Sequence, residues 1–226
     1  PRLALGDGGR ARTAIGHQLP PINFPEENPM PIRLHELHPT LVHAPLGLLP
    51  VAAGLDLMCA FNYDQFLDRS ARMLWGLGTA GGLLAGTTGL AASQEVKVTD
   101  DNVRQAMLIH GVGNVLITLG AVGVLTFRMR KRPTLTSAMV ALGAVSASIF
   151  TGWLGGEMVY ARGVGIKRMA AAQGEGVSDS PDLVSDRSPG KFFGDVAKGL
   201  VWAMRETKKL ATGEQRLSRR SISLGA

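Results

Sequence analysis

The chain has 226 residues, 45% of them hydrophobic, 5% aromatic and 19% charged, with 29 glycines and one cysteine, Cys59. One cysteine excludes a disulfide framework, a Cys-ligated zinc finger and a Cys-held iron–sulfur cluster within the chain, and the apolar fraction excludes a disordered polymer. The net charge of +6 fits either a nucleic acid or an anionic membrane surface, and the placement of the charges decides between them.

Residues 1–34 are rich in Pro and Gly and lack periodicity, so they read as an extended N-terminal arm. No basic start followed by an apolar run occurs in the arm, and no secretory signal is expected there. Four apolar segments follow. No Asp, Glu, Lys or Arg occurs at 73–94, 105–127 or 133–156, runs of 22, 23 and 24 residues, and Leu41 to Tyr63 is apolar except for Asp56 and Asn62. A helix needs about 20 apolar residues to cross the hydrocarbon layer. A core helix of a soluble bundle would show a polar face, and these segments show none. The spacing predicts transmembrane helices at about 39–62, 72–93, 104–128 and 134–158. The expected fold is all-α, an integral membrane four-helix bundle over 35–166. Residues 167–190 read as a flexible linker, rich in Gly, Ser, Asp and Pro after 173. Residues 191–226 read as an amphipathic helix with a polar tail, suited to a membrane interface or to a protein neighbour.

An even number of spans puts both termini on one side. Six basic residues flank the helices on each face, so the positive-inside rule ties. The long cationic tail tips the expectation towards cytoplasmic termini. The tail lacks a compact fold and interleaved aromatics, and no nucleic-acid partner is expected.

Five histidines carry the chemistry: His17, His35, His38, His43 and His110. His17 lies in the arm without local context. His43 follows the expected entry of the first span by about four residues, and His110 that of the third by about six. The two spans run parallel, so both imidazoles are expected about 6–9 Å inside one membrane face. Ionisable or ligating side chains are costly in hydrocarbon and usually serve a function. Haem b suits such a pair, with His43 and His110 as axial ligands. Gly47, Gly113 and Asn114 share the faces of these histidines. The two glycines would give the ring room, Asn114, Thr40 or a main-chain carbonyl would accept a ring N–H, and Arg33 or Arg104 would pair with a propionate. Simple helix packing and a copper or other metal site remain open on the same spacing, with His38 a further candidate metal ligand beside His43 and His110. His35 and His38 sit three apart, as a metal site on one turn would have them. Asp56 is expected to pair with Arg69, Arg72 or a polar group of the second span. Trp153 and Tyr160 are expected as interfacial anchors. No phosphate loop, serine elbow or zincin helix occurs.

The stretch His35-Glu-Leu-His-Pro-Thr-Leu-Val-His-Ala-Pro-Leu-Gly-Leu-Leu-Pro50, with Asp56, His110-Gly-Val-Gly-Asn114, Gly152-Trp-Leu-Gly-Gly-Glu-Met-Val-Tyr160 and Gly163-Val-Gly165, resembles a bacterial membrane family known as domain of unknown function 2231. The resemblance spans about 33–166, and its most specific piece is His-Pro-x-x-x-His-x-Pro. It implies four membrane helices. Some members are joined to Rieske-type iron–sulfur domains, which implies an electron-transfer setting and strengthens the haem reading. Ala44 stands where relatives are expected to carry an aromatic residue, and this is expected to leave space beside His43. The expectation is a haem b-binding electron-transfer subunit in the bacterial inner (cytoplasmic) membrane. It would contact lipid, and meet other subunits of a redox complex through its arm and tail. The alternatives are a cofactor-free anchoring subunit and a transporter or metal-handling protein built on Asp56 and the histidines.

Overall fold

The computed structural model describes residues 34–165, 176–177 and 183–218. All of these lie in one compact unit, Pro31–Ala226. The expected arm, with His17 and Arg33, lies outside the described residues, as does most of the expected linker.

The described chain is helical but for two short strands. A 3-10 turn, Leu34–Glu36, leads into α1 (Leu37–Leu41) and α2 (His43–Phe61). Helix α3 spans Gln65–Glu95, α4 spans Asp101–Arg130, α5 spans Leu135–Tyr160 and α6 spans Ser188–Ala211. Strands β1 (Val96–Lys97) and β2 (Gly176–Val177) pair antiparallel.

Local chemistry explains most of these boundaries. Pro45 has no N–H to give the carbonyl four residues back, so the helical ladder lapses at Val42 and separates α1 from α2. Asp64 caps α3 by accepting from the Leu67 N–H at 2.9 Å, and Asp100 caps α4 by accepting from the Asn102 N–H at 2.7 Å. Thr134 and Ser137 form a reciprocal capping box at the start of α5. Beyond α5 the chain turns at Gly163 and Gly165, whose φ angles of 67° and 80° favour glycine. The Gly-Val-Gly of this segment is therefore a helix stop.

Helix α2 packs against α3 and α5, and α4 packs against the same two, so the four close a ring. The shared core is small-residue packing: Ala52, Ala53 and Ala141 are fully buried beside Leu49, Trp75, Ala121 and Val145. Small side chains let helix backbones approach closely, which is how membrane helices associate. The α2–α3 seam shows this best. A Cβ added at Gly81 would come within 2.8 Å of the Ala44 Cβ. Ala44 is thus seated on α3.

Three helical stretches are long and apolar enough to cross a membrane: Leu37–Phe61, Asp101–Arg130 and Leu135–Tyr160. Only 28%, 11% and 33% of their apolar windows are buried within the protein, so most of this apolar surface faces outwards. Among the outward residues are Leu116, Leu119, Val140 and Ile149, each at least 60% exposed. Helix α3 was expected as a fourth span. It is uncharged from 73 to 94, but six glycines and three threonines dilute its apolar composition below that of the other three.

Candidate functional site

Two polar layers interrupt the apolar bundle. They stand at opposite ends, because His38 and Asp56, and likewise His110 and Arg128, are 18 residues apart on neighbouring stretches of helix. At 1.5 Å per residue that separation is about 27 Å, close to the thickness of a hydrocarbon core.

The first layer holds two imidazoles. The His38 ring, on α1, places Nδ1 2.8 Å from the Ala85 carbonyl of α3. The His110 ring, on α4, places Nδ1 2.8 Å from the Thr151 carbonyl of α5. A carbonyl oxygen only accepts, so each neutral ring carries its proton on Nδ1 and its lone pair on Nε2. The ring centroids are 6.0 Å apart, with the planes at 87°. Each ring also lies over a glycine. A Cβ at Gly89 would meet the His38 ring at 3.0 Å, and one at Gly155 would meet the His110 Cε1 at 2.8 Å. These two glycines, and the carbonyls of Ala85 and Thr151, carry no signature in the sequence that would mark them.

Asn114 supports His110 differently from the expectation. Its amide nitrogen donates to the His110 main-chain carbonyl at 2.8 Å and stands 3.2 Å from Nε2 of the ring. Its side-chain oxygen accepts from the Thr151 hydroxyl at 3.1 Å. The ring proton goes to the Thr151 main-chain carbonyl, which is among the expected acceptors. Gly113 does not open a gap, since a Cβ there would come within 2.9 Å of Thr151 Cγ2.

His43 is not the partner of His110. Its ring is exposed, with Nδ1 donating to the Thr40 carbonyl at 3.2 Å. Five residues separate His38 from His43, about 140° around a helix, so an inward His38 turns His43 outward. Gly47, one turn on, is exposed with it, and a Cβ there would meet nothing. His35 is buried elsewhere, 3.7 Å from Glu95. Among the described residues no three His, Cys, Asp or Glu side chains come together as a metal site. A cleft of about 410 Å³ between α4 and α6, lined by Arg104, Gln105, Trp202 and Lys209 among others, contains no histidine.

The second layer is ionic. Arg128 is fully buried and holds three elements together. Its Nε donates to Asp56 at 2.9 and 3.0 Å, its Nη2 to Asp68 at 2.6 Å and its Nη1 to the Lys131 carbonyl at 2.7 Å. Trp75 donates its indole N–H to Asp56 at 2.9 Å, and Arg72 donates to Asp68 at 2.6 Å. Of the partners expected for Asp56, the structure supplies a polar group of α3, the Trp75 indole, while Arg72 pairs with Asp68. Arg128 opens the run Arg128-Met-Arg-Lys-Arg132, a context that by sequence alone marks a loop. Trp75→Phe removes one donor from a buried carboxylate, and thermal unfolding in detergent should show a loss of about 1–3 kcal/mol.

The family model of a predicted membrane protein (DUF2231) matches residues 34–168. The chain belongs to this family. The match takes in both polar layers and all four bundle helices, and stops short of α6. No curated protein and no solved structure matches the chain. Membership in the DUF2231 family, with three apolar helices that face outwards, makes this a membrane protein in contact with lipid. The family's description assigns no reaction.

Proposed function

We propose that this chain is a haem b-binding electron-transfer subunit whose haem would be held by His38 and His110, His38 standing in the place first expected for His43. The observation that carries the reading is the pair of imidazoles on separate helices, each with Nδ1–H tied to a carbonyl and Nε2 left as the lone-pair nitrogen. Ligating histidines are oriented in this way by a partner on the other ring nitrogen. An imidazole nitrogen bonds a first-row metal at about 2.0–2.1 Å. The ring centres stand 6.0 Å apart, so one ion could be shared only with both Nε2 lone pairs turned towards it. Two neutral imidazoles with Nε2 lone pairs are the donor type such a group would need.

When bound, haem would supply one-electron chemistry, its potential tuned by axial ligands, burial and outer hydrogen bonds. The chain's own part is positional. Ala85 and Thr151 hold the imidazoles, Asn114 crosses from α4 to α5, and the closely packed helices keep out water. On this reading α3 is a fourth span, and α1–α2 and α4 enter from the face that also carries the termini. That face is taken as cytoplasmic, in a bacterial inner membrane. Electrons would pass between a partner subunit met there, through the arm and tail, and quinone or another cofactor.

A cofactor-free anchoring subunit is the second reading. It is favoured by Asn114, whose amide stands 3.2 Å from the His110 Nε2, and by the glycines that both rings cover. The visible spectrum of the pure protein after haem-replete expression separates the two. A Soret band with a sharp reduced α-band is expected, lost in His38→Ala and in His110→Ala but kept in His43→Ala. Colourless protein would leave the anchoring role, and colour that survives both losses would overturn His38 and His110 as the residues that hold the haem.

A further inference from the structure

Helix α6 lies outside the family match, and its packing is the reverse of that in a water-soluble protein. The side that meets the bundle buries polar and small residues, Ser188, Asp195 and Gly199, beside the half-buried Trp202. Gly199 lies directly on the Leu90 carbonyl of α3, and Lys191 reaches Glu95 at the end of α3 at 3.8 Å. The tail beyond α6 is tied to α4, where Gln105 accepts from the Ser218 N–H at 2.8 Å. The apolar side faces away from the protein. Phe193 is 70% exposed, Leu200 51% and Met204 65%.

At about 100° per residue the helix divides into three sectors. Ser188, Asp195 and Gly199 face the bundle. Phe193, Leu200 and Met204 form a stripe about 120° round from them. Lys198 and Arg205 lie a further 120° or so round; Lys198 stands 3.6 Å from the Asp195 carboxylate, and its side chain is 72% exposed. A helix lying in the plane of a membrane beside a bundle needs this arrangement: one side on protein, one in acyl chains, one among headgroups. Its height agrees. Leu90 is five residues before Glu95, where the uncharged stretch of α3 ends, so the contact is about 7 Å inside that boundary.

We infer that α6 is an interfacial helix whose Phe193–Leu200–Met204 stripe enters the lipid while Lys198 and Arg205 engage anionic headgroups. The inference is independent of the haem pair and rests on membrane residence alone. Basic residues near an anionic surface attract it, and apolar burial adds to that attraction.

The test uses spin labels on the full chain in a Cys59→Ala background, one copy per lipid nanodisc. Met204→Cys and Lys198→Cys carry the label at exposed positions, and circular dichroism checks that helicity is kept. In phosphatidylcholine with phosphatidylglycerol, a label at 204 should be more accessible to oxygen than to a water-soluble nickel chelate, and one at 198 the reverse. The label at 204 should become shallower in phosphatidylcholine alone. It should do the same when Lys198→Gln and Arg205→Gln are introduced together. Equal nickel access at both positions would mean that the stripe faces water. Shielding from both reagents would mean that protein covers it. A depth indifferent to lipid charge would remove the anionic headgroups. Any of the three overturns the inference.

Discussion

Arg128→Met is expected to cost about 3–5 kcal/mol of stability, the usual result of removing one partner from a buried ion pair. Two carboxylates depend on this guanidinium, and they do not lose equally. Asp68 keeps Arg72 at 2.6 Å. Asp56 keeps only the Trp75 indole, with 2% of its surface exposed. An unpaired carboxylate near hydrocarbon is the costly product, so neutralising it should restore part of the loss. Asp56→Asn in the Arg128→Met background should therefore be more stable than Arg128→Met alone. In the parent chain the same Asp56→Asn should destabilise, because it leaves Arg128 under-compensated. That change of sign is a coupling between neighbours, which a double-mutant cycle measures. Arg128→Lys should also destabilise, since one ammonium cannot serve Asp56, Asp68 and the Lys131 carbonyl from a single planar fork. Thermal unfolding in one detergent, run on all four variants, gives the comparison. An Arg128→Met variant within 1 kcal/mol of the parent would mean that water or a lipid headgroup reaches this layer.

Three of the expected spans fall on helices long and apolar enough to cross a membrane, because lack of charge is a property of composition and needs no partner. The helix ends were less legible. Helix α3 begins at Gln65, not 72, and Asp68, Arg69 and Arg72 lie in its first turns. The Asp64 cap carries the helix through them. The entry of α1 is the same problem with a larger consequence. Pro39 reads as a boundary, yet helix exists from Leu37, so His38 is already within a turn and faces α3. Counting depth from position 39 selects His43, and 140° of rotation then decides against it. Rotation about a helix axis is set by what packs on it, here Gly81 against Ala44 and Gly89 against His38. A single sequence without its neighbours does not express that choice. Arg128 was missed for a related reason: basic residues at a span's end signal topology, and burial by Asp56, 72 positions away, is a tertiary fact.

The two layers impose different demands on the same helices. At the Asp56–Arg128 end every strong polar group is matched by charge, and the geometry ties α2, α3 and α4 by side chains alone. At the His38–His110 end the ties run from side chain to main chain, α1 to α3 and α4 to α5, so either imidazole can be lost without stranding a charge. A site that must accept a ligand tolerates the second arrangement better than the first. This asymmetry places the functional expectation on the histidines and the mechanical one on the arginine.

Gly199→Ala should release α6 from the bundle, although alanine is the better helix former. The sign follows from two opposed terms. Replacing Gly by Ala within a helix gains about 0.5–1 kcal/mol in backbone preference. At position 199 the new Cβ would fall well inside contact distance of the Leu90 carbonyl oxygen, and the carbonyl carbon would be only 2.9 Å away. Both belong to the backbone of α3, which has no rotamer to turn aside. Overpacking of this kind costs about 1–3 kcal/mol where the neighbours can adjust, and here the simplest adjustment is for α6 to lift. Lifting would part Gly199 from Leu90 and stretch the Lys191–Glu95 contact together. Limited proteolysis in detergent should then cut within 183–218 faster in Gly199→Ala than in the parent chain. Gly194→Ala supplies the control, since a Cβ at Gly194 meets nothing within 4 Å. It should keep the preference gain and resist cleavage at least as well as the parent. Equal cleavage of the two alanine variants would mean that α6 is held by its ends, through Lys191 and Ser218, and that its middle rests on α3 without being fastened there.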